Sequence, residues 1–418
     1  MIAMKASESV KNYPSKLREI TNYAVKSIKS ICKNIGPREP GSENEQKAQE
    51  FIAAELNSCC DTVSIEEFPV HPNAFLGWIP ICSILMSLAA ILYNVRLSLF
   101  SLVLTVIAIV VVIFEFVLYR EILDPFFKRK TSRNVIGIRK PSGELKRRII
   151  ISGHIDSSNE WTFSYLGGPK LLIGVMGFAI VGFVTSLVFS SIAIIRGHAL
   201  SALGEKFLLI FGYVLLAFIP IYFIASFFRN GKRTVMGAND NLTGSLASVA
   251  VAKFMQENNI RFENTEIQIL VTGSEEAGLR GAKDYCKRHC DENKELETVF
   301  CGLDTLKDLE HIAIYSKDLS GTVNNHAGVC LLMKKAASFA GFDLPFKTVT
   351  LGASDAAAVT QACVPAATLA AMDPAPARYY HTRLDTDDIL NLKCIEVCIN
   401  IMLETTFLYA ENGLKYRY

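Results

Sequence analysis

Four hydrophobic runs interrupt this chain and constrain its fold more than anything else in it. They span 75–94 (FLGWIPICSILMSLAAILYN), 97–119 (LSLFSLVLTVIAIVVVIFEFVLY), 171–195 (LLIGVMGFAIVGFVTSLVFSSIAII) and 207–228 (FLLIFGYVLLAFIPIYFIASFF). Each comes near or passes the roughly 20 apolar residues that cross a bilayer as a helix. They explain why half of the 418 residues are hydrophobic and the mean hydropathy is +0.27, too apolar for an ordinary water-soluble enzyme. One such run alone could be a buried core helix. Four in two pairs, each pair joined by a short polar turn, read as two transmembrane hairpins, 75–119 and 171–228. An even number of crossings returns the chain to its starting side, so 1–74, 120–170 and 229–418 can assemble into one domain.

The polar segments between and after the hairpins carry acidic and imidazole side chains in short motifs. These are His154 and Asp156 in GHIDSS, Asp240 in GANDNLTG, Glu275 and Glu276 in TGSEEAGLRGA, Asp304 in CGLDTL and His381 in YYHTRLDT. In isolation, a His-x-Asp or a Glu-Glu pair is more often simply solvated. The flanking text changes that reading. RRIIISG (147–153), EIQILVTG (266–273) and ETVFCGL (297–303) read as buried strands that end on these residues, and open α/β sheets place their sites at strand carboxyl ends. Helical spacing over 242–258, 279–290, 323–341 and 388–411, with strands at 310–316 and 365–370, completes a three-layer α/β/α domain with a mixed central sheet.

The donor set suits a pair of zinc ions, with Co2+ or Mn2+ as possible substitutes. Asp240 is the natural bridge between two ions, His154 and Asp304 complete one site, and Glu276 and His381 complete the other. Glu275, beside a ligand, is placed to take a proton from a water. Asp156, two residues after His154, is placed to accept the imidazole's other N–H.

On these residues the chain resembles the co-catalytic two-zinc exopeptidases, the family of bacterial leucyl aminopeptidases, glutamate carboxypeptidases and transferrin-receptor-like proteins. The early segment IGPREPGSENEQKAQEFIAAEL (35–56) resembles that family's amino-terminal signature and first helix. The resemblance implies His154, Asp240 and Asp304 at one zinc, Asp240, Glu276 and His381 at the other, Glu275 as general base and Asp156 behind His154. It also implies a cis peptide between Asp240 and Asn241, and peptide hydrolysis from the amino end. Ser354 and Asp355 match a serine–aspartate pair of the family, but Ala356 stands where a histidine often follows, and Leu351 and Gly352 where some relatives have a tyrosine. The oxyanion donor is therefore unassigned. A carboxypeptidase or dipeptidase would need a basic clamp, for which Arg378 and Arg383 are the nearby residues. A glutaminyl-cyclase-like acyltransferase would share the fold, while receptor and scaffold relatives would have eroded ligands, which this chain does not.

The remaining features concern placement. From Phe228 to Asp240 is 12 steps, at most roughly 40 Å, so the site is expected near the membrane surface. Trp161, Phe163 and Tyr165 suit either an interfacial belt or packing on the soluble domain. Basic residues cluster on the domain side (Arg120, Lys128, Arg129, Lys130, Arg133, Lys170, Arg229, Lys232, Arg233) against Arg96, Arg196 and Lys206 at the hairpin tips, which places the catalytic domain on the cytoplasmic face. Eleven cysteines in no regular framework fit a reducing compartment. The start, MIAMKASESVKNYPSKLREI, lacks an apolar secretory stretch, so insertion would rely on the internal spans. Glu115 reads as snorkelling toward Arg120, and Pro220 as a kink in the fourth span. Basic text around Arg139, Lys140 and Lys146–Arg148 reads as a solvated hairpin turning at Pro141–Gly143. A formal charge of +2, with no phosphate loop or basic-aromatic tract, gives no sign of nucleic-acid binding; the expected partners are peptide and lipid bilayer.

Overall fold

A computed structural model describes residues 5–201, 205–375 and 377–414. The chain divides into two compact units, one of Met1–Pro72, Arg129–Ser158 and Thr234–Tyr418, the other of Asn73–Lys128 and Asn159–Arg233.

The strands, in chain order, are β1 Thr62–Val70, β2 Lys130–Arg139, β3 Arg147–His154, β4 Asn159–Trp161, β5 Arg229–Thr234, β6 Thr265–Thr272, β7 Glu297–Leu306, β8 Ile312–Asp318, β9 Val323–Asn324, β10 Phe346–Thr348 and β11 Ala366–Ala371. In the first unit they form one mixed sheet in the order β1-β2-β6-β3-β7-β11-β8-β10, with β9 on β8. β6, β3, β7 and β11 run parallel, while β1, β2 and β8 pair antiparallel to their inner neighbours.

The three layers follow from the strand sequences. Strands buried on both faces must be apolar throughout, and alternate residues must enter different cores. Ile149 and Ile151 of β3, Ile267 and Ile269 of β6, and Val299 and Cys301 of β7 enter a core shared with helices Tyr13–Asn34, Thr243–Glu257 and Leu392–Asn412. Their neighbours Ile150, Leu270 and Phe300 enter a second core with Tyr285, Cys286 and Val359, from helices Arg280–Glu295 and Asp355–Gln361.

The expected solvated hairpin between β2 and β3 is not formed. β6 lies between the two strands, and the Ser142–Gly143 turn bonds instead to the carbonyls of Phe262 and Glu263. Nor are two of its three arginines solvated. Arg139 is 4% exposed and donates to the carbonyls of Cys59 and Ile260 and to Gln256 Oε1. Arg148 is also 4% exposed and bonds Glu266 at 2.6 Å, Asn293 at 2.8 Å and Glu292 at 2.6 Å. Once β6 slides between them, strand residues that would have edged a hairpin become interior.

The second unit is apolar on its surface, and its interior combines an apolar core with a few hydroxyl and amide contacts. Three of its helices, Ser98–Val117, Thr162–Ile195 and Lys206–Ala225, are long and apolar enough to cross a membrane by length and composition; a shorter apolar helix covers Trp78–Asn94. The first expected run thus yields 17 helical residues rather than 20, because 73–77 form turns. Exposed side chains include Ile84, Ile173, Phe178, Ile180 and Phe223, each more than 60% accessible. Inside, Ser101 meets Ser190 at 2.9 Å, Thr105 meets Ser186 at 2.7 Å, and Asn94 donates to the Gly212 carbonyl at 3.0 Å. Trp161 packs on Phe228 with ring centres 4.9 Å apart, and Phe163 is buried in this unit's core. The fourth run breaks between Ala217 and Ile219, just before Pro220, whose missing N–H favours that break. Glu115 does not snorkel. It is 1% exposed and accepts the Leu123 N–H at 3.2 Å, because the chain folds back over this helix end.

Arg148 supports a stability test. Arg148→Met leaves Glu266 buried without its partner, and is expected to destabilise the fold by about 3–5 kcal/mol. Denaturant unfolding of detergent-solubilised protein measures this; a change below about 1 kcal/mol would contradict the assignment of Arg148 as an interior ion-pair partner.

Candidate metal centre

β6, β3 and β7 lie side by side, and each ends on a candidate side chain or on the turn that carries one. His154 closes β3 in register with Thr272 at the end of β6. Glu275 and Glu276 follow on the short turn Glu275–Ala277, and Asp304 stands near the end of β7. Strands about 4.8 Å apart cluster such residues without long side chains. Asp240 lies in the segment Ala238–Leu242 before helix Thr243–Glu257, and its peptide bond to Asn241 is cis, as the resemblance implied. His381 comes from the loop ahead of helix Leu392–Asn412.

Two glycines allow that assembly. A Cβ on Gly153 would lie 2.5 Å from the backbone of Gly244 and Ser245, and one on Gly244 would lie 2.2 Å from the Leu303 carbonyl oxygen. The helix that follows Asp240 therefore starts directly against the ends of β3 and β7. Asn241 locks it there, donating to the Leu303 carbonyl at 2.8 Å and accepting the N–H groups of Gly244 and Thr305.

The sequence-derived ligands come together in two groups that share Asp240. In each of the groups His154, Asp240, Asp304 and Asp240, Glu276, His381, the donor atoms lie within 4.8 Å of one another. His154 Nε2 is 3.3 Å from Asp240 Oδ1, and His381 Nε2 is 3.0 Å from both Asp240 Oδ2 and Glu276 Oε1. Ligands at about 2.0 Å from a tetrahedral ion stand about 3.3 Å apart. Asp240 Oδ2 and Glu276 Oε1 are buried without a well-formed hydrogen bond. Orphaned acceptors at ligand spacing fit a pair of divalent cations.

The charge balance points the same way. Four largely buried carboxylates, Asp240, Glu275, Glu276 and Asp304, face two imidazoles. Burial, reinforced by Asp240, pushes the Asp304 carboxyl up to about 7, and burial raises Glu276 as well. Burial together with Glu276, Asp355 and Asp304 raises Glu275 well above the usual carboxylate range, against the pull of His154. Burial opposes charge on His381, yet Glu276 and Asp240 outweigh it and move the imidazole up to about 10. The four shifts express one fact, an excess of buried negative charge that a cation would offset.

Glu275 Oε2 lies 3.8 Å from His154 Nε2, beside the ligands. Asp156 does more than its expected role. Its Oδ1 stands 3.4 Å from His154 Nδ1, and its two oxygens accept the N–H groups of Glu275 and Glu276, each at 3.0 Å. Asp385 was missed in the sequence although it stands four residues after His381 in the same motif. Its Oδ1 accepts the Asn239 N–H and side-chain amide, and its Oδ2 the Asp240 N–H, so one carboxylate ties the His381 loop to the bridging aspartate. Burial pushes it up to about 7. The Ser354–Asp355 pair is held by Asp318, which accepts the Ser354 N–H and hydroxyl, and by Thr272, which donates to Asp355 at 2.6 Å. Tyr380 stacks its ring 3.8 Å from that of His381; burial and the surrounding carboxylates raise its hydroxyl well above the usual phenol range.

Residues 224–406 match the family described as Peptidase family M28, a range that holds Asp240, Glu275, Glu276, Asp304 and His381 but begins after His154 and Asp156. A comparison with curated protein sequences found no match. Among solved structures, a zinc aminopeptidase from Bacillus subtilis is similar at a TM-score of 0.55 and 15% identity, over 93% of this chain and 94% of its own. An aminopeptidase from Aneurinibacillus sp. strain AM-1 gives 0.55 and 14% over 94% and 95%, and a glutaminyl cyclase from Fimbriiglobus ruber gives 0.54 and 13% over 93% and 95%. These likenesses establish the α/β fold.

Asp385→Ala is expected to weaken divalent-metal binding by about 10–100-fold, the usual effect of losing a residue that orients a ligand. Competition against a chromophoric chelator measures it; unchanged affinity would make Asp385 a purely structural loop contact.

Proposed function

We propose that this chain is a membrane-embedded, zinc-dependent exopeptidase, most specifically an aminopeptidase that removes residues from the amino end of peptides. The observation that carries the reading is the pair of donor groups sharing Asp240 with Glu275 beside them. His154, Asp240 and Asp304 would hold one zinc, and Asp240, Glu276 and His381 the other. Zinc in such a site polarises a scissile carbonyl and acidifies water. Glu275 takes a proton from the attacking water and delivers it to the leaving amine, a role its raised proton affinity suits. Asp156 keeps Glu275 and Glu276 facing the site by holding both their N–H groups.

The match to a family described as a peptidase, and a fold shared with two aminopeptidases, one of them described as a zinc enzyme, support this reading. A glutaminyl-cyclase-like acyl transfer is the second reading, favoured by two solved cyclases of equal structural likeness. Product analysis separates the two. On a panel of peptides blocked or free at each end, cleavage confined to free amino termini is expected. Glu275→Ala should lower turnover by at least about 100-fold with metal retained. Cyclisation of amino-terminal glutamine without cleavage would move the assignment to the second reading, and full activity of the variant would remove Glu275 from the role of base.

Membrane embedding rests on the second unit's exposed apolar helices, joined inside by hydroxyl and amide contacts beside an apolar core, a surface suited to lipid rather than water. Four spans, with Trp78–Asn94 as the shortest, keep the three segments of the first unit on one side. Of the basic residues behind the cytoplasmic assignment, Lys130 pairs with Glu39, Arg133 with Glu50 and Glu67, and Arg233 with Glu160. The orientation therefore leans on the others. Cys363 is exposed on the catalytic unit. A membrane-impermeant maleimide is expected to label it in inverted vesicles but not in intact cells; the opposite pattern would place the site outside.

A further inference from the structure

The early segment 35–56 drew attention in the sequence without supplying a ligand, yet it contributes two of the most deeply buried charged side chains in the first unit. Arg38 and Glu45 are both 0% exposed. Arg38 donates to the carbonyls of Ile155 at 2.6 Å, Met236 at 2.9 Å and Gly237 at 2.9 Å, so it binds the end of β3 to the segment leading to Asp240.

Glu45 reaches the other side of the site. Its Oε1 accepts the Ser274 N–H at 2.7 Å and the Ser274 hydroxyl at 3.0 Å. Its Oε2 accepts the Gly41 N–H at 2.7 Å and the Ser132 hydroxyl at 2.9 Å. Every contact made by this carboxylate is with a donor. Ser274 immediately precedes Glu275 and sits at φ 53°, ψ 38°, a left-handed conformation that a serine adopts only when its surroundings hold it there. Three successive N–H groups, those of Ser274, Glu275 and Glu276, are thus fixed by two buried carboxylates, Glu45 for the first and Asp156 for the next two.

We propose that Glu45 is a positioning residue that sets the direction of the Glu275–Glu276 turn, and through it the placement of both the base and one metal ligand. The proposal rests on the metallopeptidase reading above. Glu45 touches neither substrate nor metal in this role; it acts by holding Ser274 in the one conformation from which Glu275 and Glu276 enter the site. Replacing it with glutamine turns one oxygen into an NH2 that must face two donors.

The test is titration of the metal-free, detergent-purified full chain with Co2+, followed by its visible absorption, alongside steady-state kinetics of the zinc-loaded enzyme on the peptide cleaved best. In Glu45→Gln, one of the two ions is expected to bind about 10–100-fold more weakly, while the other titrates as in wild type, because only the Glu276 group depends on this turn. kcat should fall by a similar factor with KM little changed; a smaller folded fraction would give the same kinetics, so the selective weakening of one Co2+ site over the other is the readout that separates positioning from loss of fold. Ser274→Ala deletes one donor and leaves Glu45 in place; it is expected to weaken the same ion by a smaller factor, and decides the matter if Glu45→Gln does not purify folded. Equal Co2+ binding at both sites in the variants and in wild type would overturn the role of Glu45 alone. Failure of wild type to bind Co2+ would overturn the metallopeptidase reading and this proposal together.

Discussion

Negative charge buried at the ends of three adjacent parallel strands is the constraint on which the first unit depends. Asp240, Glu275, Glu276 and Asp304 converge with only His154 and His381 to oppose them. Carboxylates at such a depth repel one another and lose their hydration, which would cost several kcal/mol apiece if nothing replaced the water. For the buried carboxylates around these four, the fold meets the same cost with oriented donors. Asp156 takes two backbone N–H groups, Asp385 takes two and a side-chain amide, and Glu45 takes two N–H groups and two hydroxyls. The carboxylates that the protein satisfies fully are those that shape the loops. Asp240 and Glu276 each keep an oxygen without a well-formed hydrogen bond, and these are the ones at metal-ligand spacing.

That division of labour explains why so much backbone is specialised here. A Cβ at Gly153 or Gly244 would push the helix after Asp240 away from β3 and β7, and with it the shared aspartate. Asn241 and Asp385 then fix the aspartate from opposite directions, one through β7 and one through the His381 loop. The ligands are therefore held by short bonds to their own main chain, and not by their packing alone.

How much of this was legible in the sequence differs by element. β3, β6 and β7 were plain because strands covered on both faces are apolar without interruption, and all three appear within a few residues of their expected bounds. The residues that come together at metal-ligand spacing were legible because each ends a strand or sits in a short polar motif. Sheet order was not. Consecutive strands usually pair, and nothing local in β2 or β3 announces that β6, more than a hundred residues later, separates them. The burial of Arg139 and Arg148 was hidden for the same reason, since their environment is set by strands distant in sequence. Glu45 and Asp385 lay inside motifs already singled out, but a carboxylate that only accepts backbone N–H groups has no spacing rule to reveal it. Glu115 misled because its nearest basic neighbour in sequence suggested an exit toward water, whereas its partner is a backbone N–H eight residues on.

The second unit differs in its surface. In the first unit, apolar side chains fill two cores and buried charge is confined to bonded networks; in the second, Ser101, Thr105, Ser186 and Ser190 meet inside beside an apolar core, while many further Ile, Val and Phe side chains point outward. Small hydroxyl residues let helices approach closely where lipid offers no hydrophobic gain from association. The chain alternates between the two regimes, and the ends of the second hairpin continue directly into ligand-bearing text: Asp156 comes three residues before Asn159, and Asp240 seven after Arg233. On the proposed reading, the two segments that bring His154 and Asp240 together are also the two ends of a hairpin in the bilayer. Completing the shared-aspartate site then requires the hairpin to enter and return, so membrane insertion becomes a covalent precondition of the metal centre rather than an attachment added to a finished enzyme.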